Sequence, residues 1–239
     1  MSISRAILAL GFFLLLALLL SLGQWQLRRG AEKTSLFDQI GTAESLPALT
    51  TPIESQRLEE YRYRWLNLRG RYDSSRQLLL DSMTHEGRVG YQVLTPFLPQ
   101  DSRRWLLVNR GWVSADPDRG VLPQVAVSDE LRDVRGRISS LPRPGLQLRA
   151  VVPEDAVSWP QVVFFPAIDE LERRLGEPLY GYQMWLDSSS PDGFIRAWNP
   201  VVLSPEQHMG YAVQWFALAG VLVVMSVVVS VSSARRDRN

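Results

Sequence analysis

The chain has 239 residues, 46% of them hydrophobic and 21% charged, with a formal net charge of +1. It has no cysteine, which excludes disulfides, thiolate metal sites and thiol chemistry, and its two histidines cannot build a histidine-rich metal centre within one chain. The near-neutral balance leaves no electrostatic footprint for nucleic acid.

The apolar residues are concentrated at the two ends. Residues 7–22 read ILALGFFLLLALLLSL and residues 211–231 read YAVQWFALAGVLVVMSVVVSV, both without a charge. Uncharged runs of about 17–25 residues are long enough to cross a bilayer as helices. The first expected span covers residues 5–27. The second covers residues 205–233 and includes a short N-terminal extension. A cleaved signal peptide is the alternative for the first run, but its apolar stretch exceeds the roughly 7–15 residues usual for one. Arg5, Arg235, Arg236 and Arg238 lie in the short flanks. Short basic flanks favour the cytoplasm, so both termini, including a basic tail at 234–239, are expected there. Arg28 and Arg29 after the first span pull the other way and can snorkel to the interface. The central region, 28–203, then lies on the outer face of the membrane, and it is long enough to bury one sizeable core.

Along the middle, Glu32–Ala43 can prolong the first helix until Pro47 and Pro52 end it. Strand-like stretches follow at Tyr63–Tyr72, Gln77–Met83, Gly90–Leu98, Arg104–Val113, Asp133–Ser139, Leu146–Val152, Gln161–Phe165, Leu179–Leu186 and Phe194–Leu203. Turn-forming groups separate several of them: Asp73-Ser74-Ser75, His85-Glu86-Gly87, Pro99-Gln100-Asp101 and Asp116-Pro117-Asp118. Many short strands with hairpin-length gaps predict a mostly antiparallel barrel or sandwich. Ala167–Leu175 places Ile168, Leu171 and Leu175 on one face before Gly176, which predicts one short helix. The expected class is therefore membrane α+β, with two transmembrane helices flanking a mostly antiparallel β domain.

Catalytic signatures are absent: there is no Gly-x-Ser-x-Gly, His-Glu-x-x-His, Walker loop or Gly-x-Gly-x-x-Gly. The acidic pairs Glu59/Glu60 and Asp116/Asp118, and Asp187-Ser188, read as solvated loop groups, and His85 reads as a turn residue. The second apolar helix opens more informatively. Ser204 is a good N-cap, Pro205 suits the first helical position, and Gln207 completes a capping box. His208 then sits one turn inside the helix. At about 100° per residue, His208, Tyr211, Ala212, Trp215, Ala219 and Leu222 fall on one stripe. Neutral imidazole is the form that ligates iron, and Arg28 and Arg29 could pair as forked donors with the propionates of a haem. On the alternative reading, Tyr211 and Trp215 belong to an interfacial aromatic belt and His208 bonds only to a loop carbonyl.

Gly23-Gln24-Trp25-Gln26-Leu27-Arg28-Arg29 followed by Lys33, then Thr95-Pro96-Phe97, then Val108-Asn109-Arg110-Gly111-Trp112-Val113, then His208-x-x-Tyr211-x-x-x-Trp215-Phe216-x-Leu218 occur in that order. Together they resemble the Surfeit-locus-one (Shy-one) family over essentially the whole chain, with Glu32 standing where an aromatic often precedes the lysine. The resemblance implies a non-enzymatic assembly factor for the haem-copper cytochrome c oxidase. Such a factor binds haem a and aids its insertion into the large oxidase subunit, with haem a synthase as a further partner. On this reading His208 is the axial metal ligand. Trp25, Gln26, Arg28, Arg29, Tyr211 and Trp215 complete the cofactor-binding set. The competing expectations are a non-haem scaffold that holds an unfinished oxidase subunit, a lipid or quinone carrier, and an outer-face enzyme.

Overall fold

The computed structural model describes residues 3–142, 158–198 and 204–236. The expected strand at Leu146–Val152 and the end of the one at Phe194–Leu203 lie outside these residues. The chain divides into two compact units, a helical one formed by residues 1–39 and 199–239 and a sheet domain formed by residues 40–198.

Two long helices dominate the helical unit, α1 (Ile3–Ser45) and α4 (Pro205–Arg236), and both are long and apolar enough to cross a membrane. α1 continues well past its apolar run, and no proline interrupts it before Pro47. α4 starts where the sequence predicts. The Ser204 backbone N–H donates to Gln207 Oε1 (3.0 Å), and the Gln207 N–H donates back to Ser204 Oγ (3.4 Å). This reciprocal box satisfies two of the donors that every helix start leaves open.

The sheet domain contains a 3₁₀ turn at Ser55–Arg57 and the short α2 (Leu58–Tyr61). These are followed by strands β1 (Trp65–Tyr72), β2 (Leu78–His85), β3 (Arg88–Pro99), β4 (Trp105–Ser114), β5 (Arg132–Ser139) and β6 (Gln161–Val163), then α3 (Ile168–Leu175) and β7 (Leu179–Leu186). The strand order is β1-β5-β7-β4-β3-β2-β6, and β1 also pairs with β3. That second pairing closes a five-stranded barrel, with β2 and β6 extending the sheet beyond it. The twelve-residue β3 makes this possible, because its first half pairs with β2 and its last residues pair with β1. Gly70 sits at the closure. A Cβ there would lie 2.2 Å from the Leu98 carbonyl oxygen, so only glycine lets the two strands meet. Most pairings are antiparallel, but β4–β7 and β2–β6 are parallel.

Period-two alternation explains β1. Leu66, Leu68, Gly70 and Tyr72 point inward, while Asn67, Arg69 and Arg71 face solvent. Inside the barrel they pack with Phe97, Leu106, Val108, Ile138, Tyr182 and Met184. A second apolar layer forms where α3 lays Leu171 and Leu175 against Leu80, Leu94, Leu107 and Val163. α3 carries Asp169 and Glu170 in its first turn and Arg173 and Arg174 in its last, which suits the helix dipole. Gly176 ends it in the left-handed region (φ 71°), its N–H donating to the Glu172 carbonyl at 2.8 Å.

Polar side chains are also buried here. Thr95 Oγ1 donates to Gln77 Oε1 (2.6 Å), and Asn109 Nδ2 donates to both Gln92 Oε1 (2.9 Å) and Gln183 Oε1 (3.0 Å). The Arg110 guanidinium donates to the carbonyls of Asp192 (2.7 Å), Val125 (2.8 Å) and Ala126 (3.3 Å), between the rings of Tyr72 and Phe194. The central motif residues 108–113 therefore hold the barrel's strands and loops together.

Candidate functional site

Within the helical unit, the less exposed positions of α1 include Phe12, Leu16, Leu19, Gly23, Gln26 and Gly30, with Leu22 and Leu27 beside them. Those of α4 are His208, Ala212, Trp215, Ala219, Leu222 and Ser226. Both series alternate steps of four and three, the repeat that keeps one seam of a helix on its partner. Contacts run in opposite sequence directions along the two helices. Gly30 approaches the start of α4, where a Cβ would lie 3.5 Å from His208 Cβ and 3.6 Å from the Pro205 carbonyl oxygen. Gly23 lies against the ring of Phe216. The helices are therefore an antiparallel pair with glycines at points of close approach. Small residues are what let helices pack in lipid, where no hydrophobic drive separates protein from solvent.

His208 lies on this seam and is only 6% exposed. Its ring Nδ1 is 2.7 Å from Gln26 Oε1, and this is the one side-chain hydrogen bond between the two helices among the described residues. The geometry thus brings together two residues that are far apart in sequence and were both expected in the site. Trp215 is partly buried on the same seam, two turns further along α4. The other expected site residues point outward. Tyr211 is 46% exposed and lies off the stripe that the 100° projection gave it, because α1 meets α4 along the Ala212 side. Trp25 is 44% exposed, and Arg28 is exposed too. Arg29 forms an ion pair with Glu32 (2.9 Å) and stands over the Trp25 ring at 5.9 Å. Glu32, at the position where the sequence departs from its apparent family, is thus the partner of Arg29. Gly23 was read only as the start of the first-span signature, and Gly30 was not singled out from the sequence. Their seven-residue spacing in phase with Gln26 was the available signal.

At the other end of the pair, an apolar cleft of about 540 Å³ opens between Phe12, Phe13, Val223 and Val227. It lies roughly 22 Å from His208 at 1.5 Å per residue, so it is a separate feature.

In the sheet domain, the acidic groups considered for acid–base work are engaged locally. Glu60 is bound by Arg57 (2.8 Å) and Glu59 by Arg62 (3.4 Å). Asp116, Asp118 and Asp187 accept backbone N–H groups two residues on, as turn caps. His85 lies in its turn with its ring 5.2 Å from Trp112. A cleft of about 200 Å³ is walled by Trp65, Trp185 and Trp198, the last two stacked at 5.4 Å. The cations lining it are already held, Arg137 by Glu44 and Arg196 by the carbonyls of Asp187 and Ser190.

The comparisons with known proteins agree with this architecture. A family model described as the SURF1 family matches residues 13–220, which takes in most of α1, the barrel and the first half of α4. Surfeit locus protein 1 of Takifugu rubripes is 29% identical over 238 residues, covering 87% of this chain and 92% of its own length. The rat protein of the same name is 28% identical over 216 residues, covering 82% of this chain and 67% of its own. A yeast protein, cytochrome oxidase assembly protein SHY1, is 28% identical over 114 residues, covering 46% of this chain and 29% of its own. With most of its length matched by one family model, the chain belongs to the SURF1 family.

Proposed function

We propose that the protein is an assembly factor for cytochrome oxidase that holds haem a on His208 and aids its insertion into the large oxidase subunit. It works as a carrier and not as an enzyme, with haem a synthase as a source of its cargo. The helical pair spans the inner membrane with both termini cytoplasmic, and the barrel is periplasmic. Family membership and the name of the yeast relative support the oxidase assembly role.

The observation that carries the haem reading is the position of His208. It is a single imidazole on the seam of an apolar helix pair, with one ring nitrogen already engaged by Gln26. The donor chemistry fits a haem iron: one nitrogen donor, with the apolar Ala212 and Trp215 on the same seam, while Arg28 and Arg29 lie outside the seam and would reach propionates only at the rim of the parted pair. Bound haem a would itself supply the redox centre that the oxidase needs. His208 is enclosed by the closed pair, so the helices part at this end to present it. Small residues, Gly30 and Ala212, flank it, and one hydrogen bond crosses the contact, so the parting breaks little. A single protein ligand also suits cargo that must be released.

The burial of His208 favours one other reading, a scaffold in which the Gln26–His208 bond only pairs the helices. Absorption spectra of the full chain, produced together with haem a synthase, separate the two. The expected result is haem a in the wild type and none in His208→Ala, with both capturing the oxidase subunit. A wild type that captures the oxidase subunit without stoichiometric haem a would overturn the carrier reading and leave the scaffold, and haem a retained at wild-type stoichiometry by His208→Ala would overturn His208 as its ligand.

A further inference from the structure

The apolar helix pair commits a polar side chain on each helix to one bond. The Gln26 amide oxygen is turned to His208 Nδ1 at 2.7 Å. An amide oxygen only accepts, so the ring nitrogen facing it must carry the proton. The reverse arrangement would set two lone pairs against each other in an apolar contact. A free histidine side chain in water favours the opposite tautomer, with the proton on Nε2.

We propose that Gln26 is a positioning residue that fixes His208 as its Nδ1–H tautomer, so that Nε2 presents its lone pair and is the ligating atom. This rests on the proposal that His208 binds haem. A partner on the far nitrogen of a metal-ligating histidine orients the ring and raises its basicity, and removing such a partner typically costs about 10–100-fold in metal affinity. A small residue at position 30 supports the arrangement. Gly30 lies one turn beyond Gln26 on the same seam, where a Cβ would already be in ordinary contact with His208 Cβ (3.5 Å) and the Pro205 carbonyl oxygen (3.6 Å), so a side chain longer than a methyl would push α1 away from the start of α4. Arg28 and Arg29 flank the same turn but point away from the seam, which leaves Gln26 as the side chain that touches the imidazole.

The test uses the full chain in lipid nanodiscs with ¹⁵N-labelled histidine in a His85→Gln background, which leaves His208 as the single histidine. Nitrogen chemical shifts of the haem-free protein are expected to show Nδ1 protonated and Nε2 bare. In Gln26→Met, which keeps length and removes the acceptor, the ring should shift towards the Nε2–H tautomer. Gln26→Glu, which can only accept at neutral pH, should restore the Nδ1–H form. In haem-loaded protein, the iron–histidine stretch should fall in Gln26→Met and recover in Gln26→Glu, with haem affinity down about 10–100-fold in the former. An Nε2–H ring in the wild type, or identical tautomers and stretches in wild type and Gln26→Met, would overturn the assignment. Failure of the haem reading shows separately, as a wild type without stoichiometric haem a or as haem a retained by His208→Ala, and leaves the tautomer measurement on the haem-free protein valid.

Discussion

Replacing Arg110 by methionine tests whether the central motif is architecture. The guanidinium is 3% exposed and touches no carboxylate directly. Burial pushes its pKa below the ordinary arginine value, which means that the charge is held there at a desolvation cost. Two effects therefore oppose each other when it is removed. Methionine recovers that cost and keeps apolar contact with Tyr72 and Phe194. It also strands the carbonyls of Asp192 and Val125, bonded at 2.7 and 2.8 Å, which no other described donor serves. An unsatisfied buried acceptor costs about 1–3 kcal/mol; Val125 is buried and Asp192 half-buried, so the two cost roughly 2–5 kcal/mol before the desolvation relief. A net loss of about 3 kcal/mol is expected. For a domain of this size that is a fall in Tm of roughly 6–12 °C. Thermal and denaturant unfolding of the full chain in detergent, followed by tryptophan fluorescence, measures it. Hydrogen exchange should rise first around residues 124–127 and 190–196. Arg110→Lys should lose part of this, since an ammonium is a point donor and cannot fork between carbonyls on two segments. A loss under about 1 kcal/mol in Arg110→Met would refute the reasoning, because desolvation would then cancel the hydrogen bonds.

Three further outcomes are expected. Gly70→Ala would set a Cβ 2.2 Å from the Leu98 carbonyl oxygen and 2.7 Å from the Phe97 ring. It should destabilise the barrel by about 1–3 kcal/mol or more, read as a lower denaturant midpoint. Asp73 is pushed towards a higher pKa by burial, but hydrogen bonds from Ser75 and Arg76 outweigh this and its value is lowered. A carboxylate with a depressed folded pKa stabilises fully above the unfolded value of about 3.9 and loses that contribution as pH falls through the folded one. Asp73→Asn should therefore be less stable at neutral pH and lose less stability than wild type below about pH 4, as seen in urea midpoints across pH. Gly30→Ala places its Cβ in ordinary contact with His208 at 3.5 Å and should leave the helix pair intact, whereas Gly30→Leu should wedge it open. Spin-label distances between the two helices in nanodiscs would distinguish these, and an unchanged distance in Gly30→Leu would refute the tight contact.

What could be read from the sequence followed the range of the interactions. The two long helices, the Ser204–Gln207 box, the Gly176 stop and most strands are set by local pattern, and they lie close to where periodicity and capping place them. The barrel's closure was not legible. It depends on β3 serving β2 and β1 in turn and on Gly70 facing Leu98, contacts between segments far apart in sequence. The parallel β4–β7 and β2–β6 pairings were hidden for the same reason. Asn109-Arg110-Gly111-Trp112 read as a family signature on a strand. Its physical role emerged only once Gln77, Val125 and Asp192 were brought around it. At the helix pair, periodicity identified His208 but placed Tyr211 on the same face. A helical projection is indifferent to which side meets a partner, and the glycines of α1 decide that.

The two units use buried polarity differently, and this bears on function. In the barrel, Gln77, Thr95, Asn109 and Arg110 bond to several partners each, through a network that ties strands to loops. Such a network is costly to disturb, since each member removed strands others. Along the helix pair, the described polar contact between helices is a single bond, from a residue whose other ring nitrogen is left to serve another partner. One bond in an apolar contact is enough to fix register and ring orientation, because a misaligned pairing would leave both groups unsatisfied. It is also weak enough to leave the helix contact separable, since polar contacts between membrane helices average well below about 2 kcal/mol. A helix pair held by one specific, breakable polar contact is what the carrier role proposed above requires, since the contact must both fix the imidazole and separate.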